Sequence, residues 1–211
     1  VNIKWIQTEK IKNLKDVEKI FSNINGVLIL PGFGSRGSEG KIKIVKYSRE
    51  NKVPFLGICL GLQCAVIEFA RNVCKMQGAN STEFNSKTQY PVIDLMESQR
   101  AIKIKGGTMR LGAYECKIKV GTKAYSAYRT KKISERHRHR YEVNNRYIKT
   151  LEKNGMVFSG INQELRVVET IEVKNHPWFV ASQFHPELKS RINKAHPLFR
   201  EFIKAAVKNS L

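Results

Sequence analysis

The chain predicts an α/β fold: a mostly parallel, doubly wound sheet with helices on both faces and a small antiparallel excursion. Short apolar runs alternate with amphipathic stretches from residue 2 to residue 73, the pattern of strand and crossover helix. Between Val53–Ile58 and Leu60–Phe69 the alternation pivots on a glycine-flanked cysteine, Gly57-Ile-Cys-Leu-Gly61, which reads as strand, sharp turn and helix. Further on, short apolar segments are joined by polar turns, as in antiparallel strands.

The elements follow in order. Asn2–Ile6 reads as a first strand, and Leu14, Val17, Phe21 and Ile24 recur at helical spacing before a strand at Val27–Leu30. Residues 41–51 form the next helix and lead to the Val53 strand. The helix after Cys59 buries Leu62, Ala65, Val66, Phe69 and Val73. Strands are expected at Ala101–Ile104, Tyr114–Val120, Met156–Ile161 and Trp178–Ala181. Pro197–Val207 closes the chain as an amphipathic helix with proline in its first turn. The whole, residues 1–211, is expected to form one domain.

Composition narrows the function. The 211 residues carry 38 Lys plus Arg against 18 Asp plus Glu, a net charge of +20, which raises the question of nucleic acid. The basic residues are spread from Lys4 to Lys208 without a nucleic-acid-binding signature, so a solvated surface is expected and nucleic acid is not. The four cysteines, Cys59, Cys64, Cys74 and Cys116, form no C-x-x-C pair, and no secretory leader or membrane-spanning run is expected; a cytoplasmic location follows. Cys64, Cys74 and Cys116 read as packing residues. There is no P-loop lysine motif.

Cys59 is placed beyond a strand's carboxyl end and at a helix amino terminus, where unpaired amides and the helix dipole favour a thiolate. Gln183-Phe-His-Pro-Glu187 sets an imidazole and a carboxylate two residues apart at another probable strand end. A thiol needs an imidazole to take its proton, and the imidazole needs an acceptor on its other nitrogen. Cys59, His185 and Glu187 can fill those roles.

With these residues in hand, the chain resembles the class I glutamine amidotransferases. Gly57–Gln63, Asn80–Phe84, Gly106–Gly112, Glu135–Asn145 and His176–Glu187 are similar, in order, to segments of the glutaminase domains of CTP synthases. The resemblance implies that Cys59 attacks the glutamine side-chain amide, that His185 passes the proton to ammonia and that Glu187 holds the imidazole. A glutamyl thioester forms and is hydrolysed. It further implies that backbone amides at Leu60 and near Gly32 stabilise the oxyanion. Glutamine binding falls to Gly32, Leu60, Gly61, Leu62, Gln63, Glu83 and Arg140, with Glu83 on the ammonium and Arg140 on the carboxylate. No cofactor or metal is implied in this domain. In the full enzyme the resemblance implies an amino-terminal synthetase domain, absent from this chain, that uses ATP and Mg to aminate UTP to CTP, GTP as allosteric activator, and a homotetramer. Arg36 and the Arg110 segment are candidate positions for the GTP effect. Pro31-Gly-Phe-Gly34 lacks one glycine of the family's pattern, so hydrolysis by the chain alone is expected to be slow.

His137 and His139 alternate with three arginines between Arg136 and Arg140, which argues against a metal pair and for an anion site or an inter-domain contact. His176 and His196 each precede proline and read as turn-shaping. Two other readings stay open: a different cysteine hydrolase on the same scaffold, such as a gamma-glutamyl peptidase, and a non-catalytic basic module that binds nucleic acid.

Overall fold

The structure is a computed structural model that describes residues 1–95 and 109–210. In chain order its elements are α1 (Leu14–Phe21), β1 (Val27–Ile29), α2 (Ser38–Glu50), β2 (Phe55–Ile58), α3 (Leu60–Asn72), β3 (Asn80–Ser81), β4 (Pro91–Leu95) and β5 (Arg110–Ile118). They continue with α4 (Lys123–Tyr128), β6 (Lys132–His139), β7 (Tyr141–Val143), α5 (Ile148–Lys153), β8 (Met156–Asn162), β9 (Val167–Val173), β10 (Phe179–Ser182) and α6 (Pro197–Lys208).

A seven-stranded sheet runs β1-β2-β10-β9-β8-β5-β6, and a three-stranded sheet, β3-β4-β7, lies beside it. The α/β class is the expected one. Only β1, β2 and β10 pair in parallel, however, and the remaining pairings of the large sheet are antiparallel. The excursion is therefore half the sheet. Short connections explain it: residues 163–166 join β8 to β9 and residues 174–178 join β9 to β10, too few for the helical crossover that parallel pairing needs.

Residues 2–6 form no strand, against expectation, and Ile3 and Trp5 lie exposed. Alternation supplied the pattern there, but no strand among the described residues pairs with it. The expected strand at residues 101–104, and Gly106–Thr108 of the glycine-rich segment, lie outside the described residues.

Period-two alternation divides the core between the two faces of the sheet. Phe55 and Phe179 point into a cluster with Val17 and Phe21 of α1, Ile42 and Val45 of α2, and Leu62, Val66 and Phe69 of α3. Leu56 and Val180 point the other way, against Ala124 and Ala127 of α4 and Leu198 and Phe202 of α6. The two phenylalanine rings stack across β2 and β10, with centroids 4.4 Å apart. The entry into α1 is fixed by a capping box, in which Asn13 and Asp16 satisfy each other's backbone amides. Arg49 of α2 grips the fully buried Glu68 of α3 through two hydrogen bonds, 2.8 and 2.7 Å, so a charged pair helps hold the helix that starts at Cys59.

Candidate active site

The turn between β2 and α3 shows why glycine flanks the cysteine. A Cβ on Gly61 would lie 2.6 Å from the carbonyl oxygen of Ile29 in β1, and one on Gly57 would lie 2.8 Å from the Gly61 backbone. The chain thus turns sharply in a space that admits no side chain at either position. Cys59 itself takes φ 52 and ψ −99, a conformation that costs an ordinary residue and is typical of a nucleophile elbow. Its amide donates to Ser182 O at 2.7 Å, locking the elbow to the end of β10.

That lock brings the segment carrying His185 to the thiol's end of the sheet. Ser182 stands opposite Ile58 in the parallel register, so the residues following β10 emerge beside Cys59. His185 is held by its amide, which donates to Arg136 O of β6 at 2.8 Å, and its Nδ1 lies 2.6 Å from Glu187 Oε1. His185 Nε2 is buried without a hydrogen-bond partner, a free ring nitrogen directed inward. The imidazole and its orienting carboxylate are assembled.

Cys59 is buried, and burial pushes its thiol up to about 12. The Leu60 amide pulls the other way, while Glu142, Glu187 and Glu83 add to the rise. The expected depression of the thiol pKa by the helix terminus is thus overturned: desolvation outweighs the dipole in the resting site.

A narrow cleft of about 30 Å³ reaches the cysteine, lined by Gly32, Phe33, Cys59, Gln63, Glu83, His139, Arg140 and Tyr141. Of the expected glutamine-binding residues it unites Gly32, Gln63, Glu83 and Arg140. Leu60, Gly61 and Leu62 do not line it. Leu62 is buried in the core beside α1 and α2, and Leu60 packs within 3.1 Å of where a Gly32 Cβ would stand. Glu83 Oε1 accepts the Gly34 amide at 2.9 Å, so this carboxylate also anchors the glycine-rich loop. Burial pushes Glu83 upward, opposed by the Gly34 amide and then by Arg140.

The Arg-His alternation is a strand. In β6 Ile133, Glu135, His137 and His139 face inward while Lys132, Ser134, Arg136 and Arg138 face solvent. The His137 and His139 rings hydrogen-bond to each other at 2.9 Å, with Glu169 3.5 Å from His137 and Glu142 3.5 Å from His139. Arg110 closes the ring of groups, reaching Glu142 at 3.3 Å and Glu169 at 2.5 Å. Both imidazoles are thus buried beside carboxylates of β7 and β9, while Arg136 and Arg138, on which the expected anion site or inter-domain contact would rest, face solvent. Burial, then Arg110, pulls His137 down to about 2 and His139 to about 3, so both stay neutral. Burial raises Glu142 to about 8 and Glu169 to about 7 against the pull of Arg110.

Arg110 is likewise buried within this ring and offers no surface to a nucleotide, which removes it as a candidate. Arg36 is exposed and pairs with Glu9 at 2.8 Å. His176 does more than shape a turn, for its buried Nε2 meets Ser48 O at 3.0 Å. His196 caps α6 through its ring and contacts Glu135 at 3.0 Å.

Three groups escaped the sequence reading: Phe33, His139 and Tyr141 line the cleft without having been assigned there. Gln183 is a fourth, with its side-chain nitrogen 3.6 Å from Cys59 Sγ. The signal for it was its place directly before Phe184-His-Pro-Glu187, at the end of the strand that pairs with β2.

The family model for class I glutamine amidotransferases matches residues 1–205. The chain belongs to that family and is a glutamine-hydrolysing enzyme. Its relatives within the family are CTP synthases. It is 60% identical over 207 residues to the CTP synthase of Pelodictyon phaeoclathratiforme, covering 98% of this chain and 37% of that one. It is 58% identical over 205 residues to that of Caldanaerobacter subterraneus, covering 97% and 38%. The chain therefore spans less than two fifths of the length of these curated relatives. Among solved structures, the glutaminase domain of Trypanosoma brucei CTPS with bound acivicin superimposes with a TM-score of 0.92 at 33% identity, covering 98% of this chain and 81% of that one. Among the described residues no helix is long and apolar enough to cross a membrane.

Proposed function

We propose that residues 1–211 act as a single glutamine amidotransferase domain that hydrolyses glutamine through Cys59, His185 and Glu187. The observation that carries this reading is the convergence of a strained elbow cysteine and a buried, unpartnered imidazole nitrogen, oriented from behind by Glu187, at one end of the parallel strands. Glutamine enters the cleft with its carboxylate toward Arg140 and its ammonium toward Glu83. As the amide carbon approaches, His185 Nε2 takes the thiol proton and Sγ bonds to that carbon. The oxyanion is met by backbone amides of Leu60 and the Gly32 loop. The imidazolium then protonates the departing nitrogen, the C–N bond breaks, and ammonia leaves a glutamyl thioester. Water, deprotonated by His185, cleaves the thioester to glutamate. A thiol that burial holds near 12 fits an order in which proton transfer to the base accompanies attack on the amide carbon.

The CTP synthase relatives supply the destination. The ammonia passes to a synthetase domain that aminates UTP to CTP with ATP and Mg, under activation by GTP, in a tetrameric enzyme. Glutamate release is the test. The chain hydrolyses glutamine slowly by itself and faster when joined to the synthetase domain with GTP, and Cys59→Ala abolishes both rates. Preference for a gamma-glutamyl peptide over glutamine, or hydrolysis that survives Cys59→Ala, overturns the proposal.

A further inference from the structure

The triad leaves one buried polar group at the sulfur without a role. Gln183, the residue after the last of β10, is fully buried, and its side-chain Nε2 lies 3.6 Å from Cys59 Sγ, a donor aimed at the nucleophile. Which end of that amide faces the sulfur is decided from the other side. The Gln63 side-chain nitrogen lies 3.5 Å from Gln183 Oε1, and the same nitrogen donates to Tyr141 O at 3.2 Å. Because the Tyr141 carbonyl can only accept, Gln63 must present its amino end there. The acceptor end of Gln183 therefore faces Gln63 and its amino end faces the sulfur. The backbone of Gln183 is pinned as well, its amide donating to Glu169 O of β9 at 2.8 Å.

We propose that Gln183 is a further catalytic residue, whose side-chain amide donates to the Cys59 thiolate as it forms, and that Gln63, held by the Tyr141 carbonyl, is the positioning residue that keeps this donor turned toward the sulfur. The inference rests on Cys59 being the nucleophile and adds the group that makes its ionised form attainable in a buried site. A neutral amide suits the task. The carboxylates around Cys59 oppose its ionisation: Glu142 from β7, Glu187 from the turn after β10 and Glu83 from the loop after β3. The Leu60 amide at the start of α3 favours it, and the buried Nε2 of His185 makes no hydrogen bond of its own. A cationic donor would pair with these acids, whereas an amide offers an N–H without a charge to be drawn away. Gln183 thus completes, with the Leu60 amide, a pair of donors converging on one sulfur.

The test is the rate of Cys59 alkylation by iodoacetamide at one fixed pH of 8.5, read by mass spectrometry of the Cys59 peptide so that Cys64, Cys74 and Cys116 do not contribute. In Gln183→Met, which keeps the length and loses the donor, that rate falls about ten- to a hundredfold, as a thiolate harder to form requires, and kcat for glutamine falls about tenfold or more while KM changes little. In Gln183→Glu the rate falls at least as far, since a carboxylate replaces the donor. Gln63→Met lowers it less, because Gln183 is retained but freed to turn. Should either Gln183 variant fail to fold, the other and the Gln63 variant carry the comparison. An unchanged alkylation rate in a folded Gln183 variant overturns the proposal, as does a rise in KM alone. If instead Cys59→Ala still hydrolyses glutamine, the triad reading itself fails and this inference with it, an outcome distinct from an unchanged alkylation rate in the Gln183 variants.

Discussion

At Cys59 two influences compete, and their balance sets when the enzyme can react. Burial holds the thiol near 12, while the Leu60 amide favours the anion. Such a site is quiet until substrate completes it. Histidines elsewhere show the same desolvation with a different consequence. Burial pulls His176 down to about 4, although its contact with Ser48 O opposes the shift. The unfolded chain takes up a proton at this position between about pH 6.5 and 4 that the folded chain refuses, so stability is full above 6.5 and lost as pH falls. We expect this one site to cost about 1 kcal/mol at pH 5.5 relative to pH 7.5. Urea midpoints at the two pH values should therefore differ less in His176→Gln than in the parent; equal losses would contradict the assignment. The proposed triad could be picked out in the sequence because each of its parts is local: a cysteine between glycines, and a histidine two residues from a carboxylate. Gln183 and the neutral His137–His139 pair were not, since their partners come from other strands.

The elbow shows how an element makes a residue reactive. Its sharpness depends on Gly57 and Gly61 passing against each other and against Ile29 of β1, where a methyl group has no room. Gly61→Ala must push backbone against backbone, and we expect it to destabilise the fold by about 1–3 kcal/mol and to lower glutamine hydrolysis more than tenfold. Thermal melts and glutaminase assays check this, and an alanine variant of parental stability and rate would show that the turn is not confined as described. Helices and the β1–α2–β2–α3 succession were readable because their periodicities are intrinsic to the local chain. Asn2–Ile6 had the alternation of a strand yet found no neighbour among the described residues, and pairing rather than pattern makes a strand. The Arg-His alternation from Arg136 to Arg140 carried the same period-two signal, and its histidines face inward as that period requires.

At the level of the molecule, the antiparallel half of the sheet does what the parallel half cannot. Cys59 and His185 follow the ends of the parallel neighbours β2 and β10, while the β6–β7 segment brings His139, Arg140 and Tyr141 to the cleft. This pairing order joins residues far apart in sequence, and so the size of the antiparallel region was hidden from a reading of local pattern. Part of the basic surplus lies outside this machinery, on strand faces such as Lys132, Arg136 and Arg138 that point to solvent. What the whole assembly must achieve is a covalent bond between one sulfur and the glutamyl group. Acid quenching during turnover of isotopically labelled glutamine measures that bond directly. The account predicts one glutamyl label per chain at most, hydroxylamine-labile and confined to the Cys59 peptide; glutamate formed with no label on that peptide would contradict it.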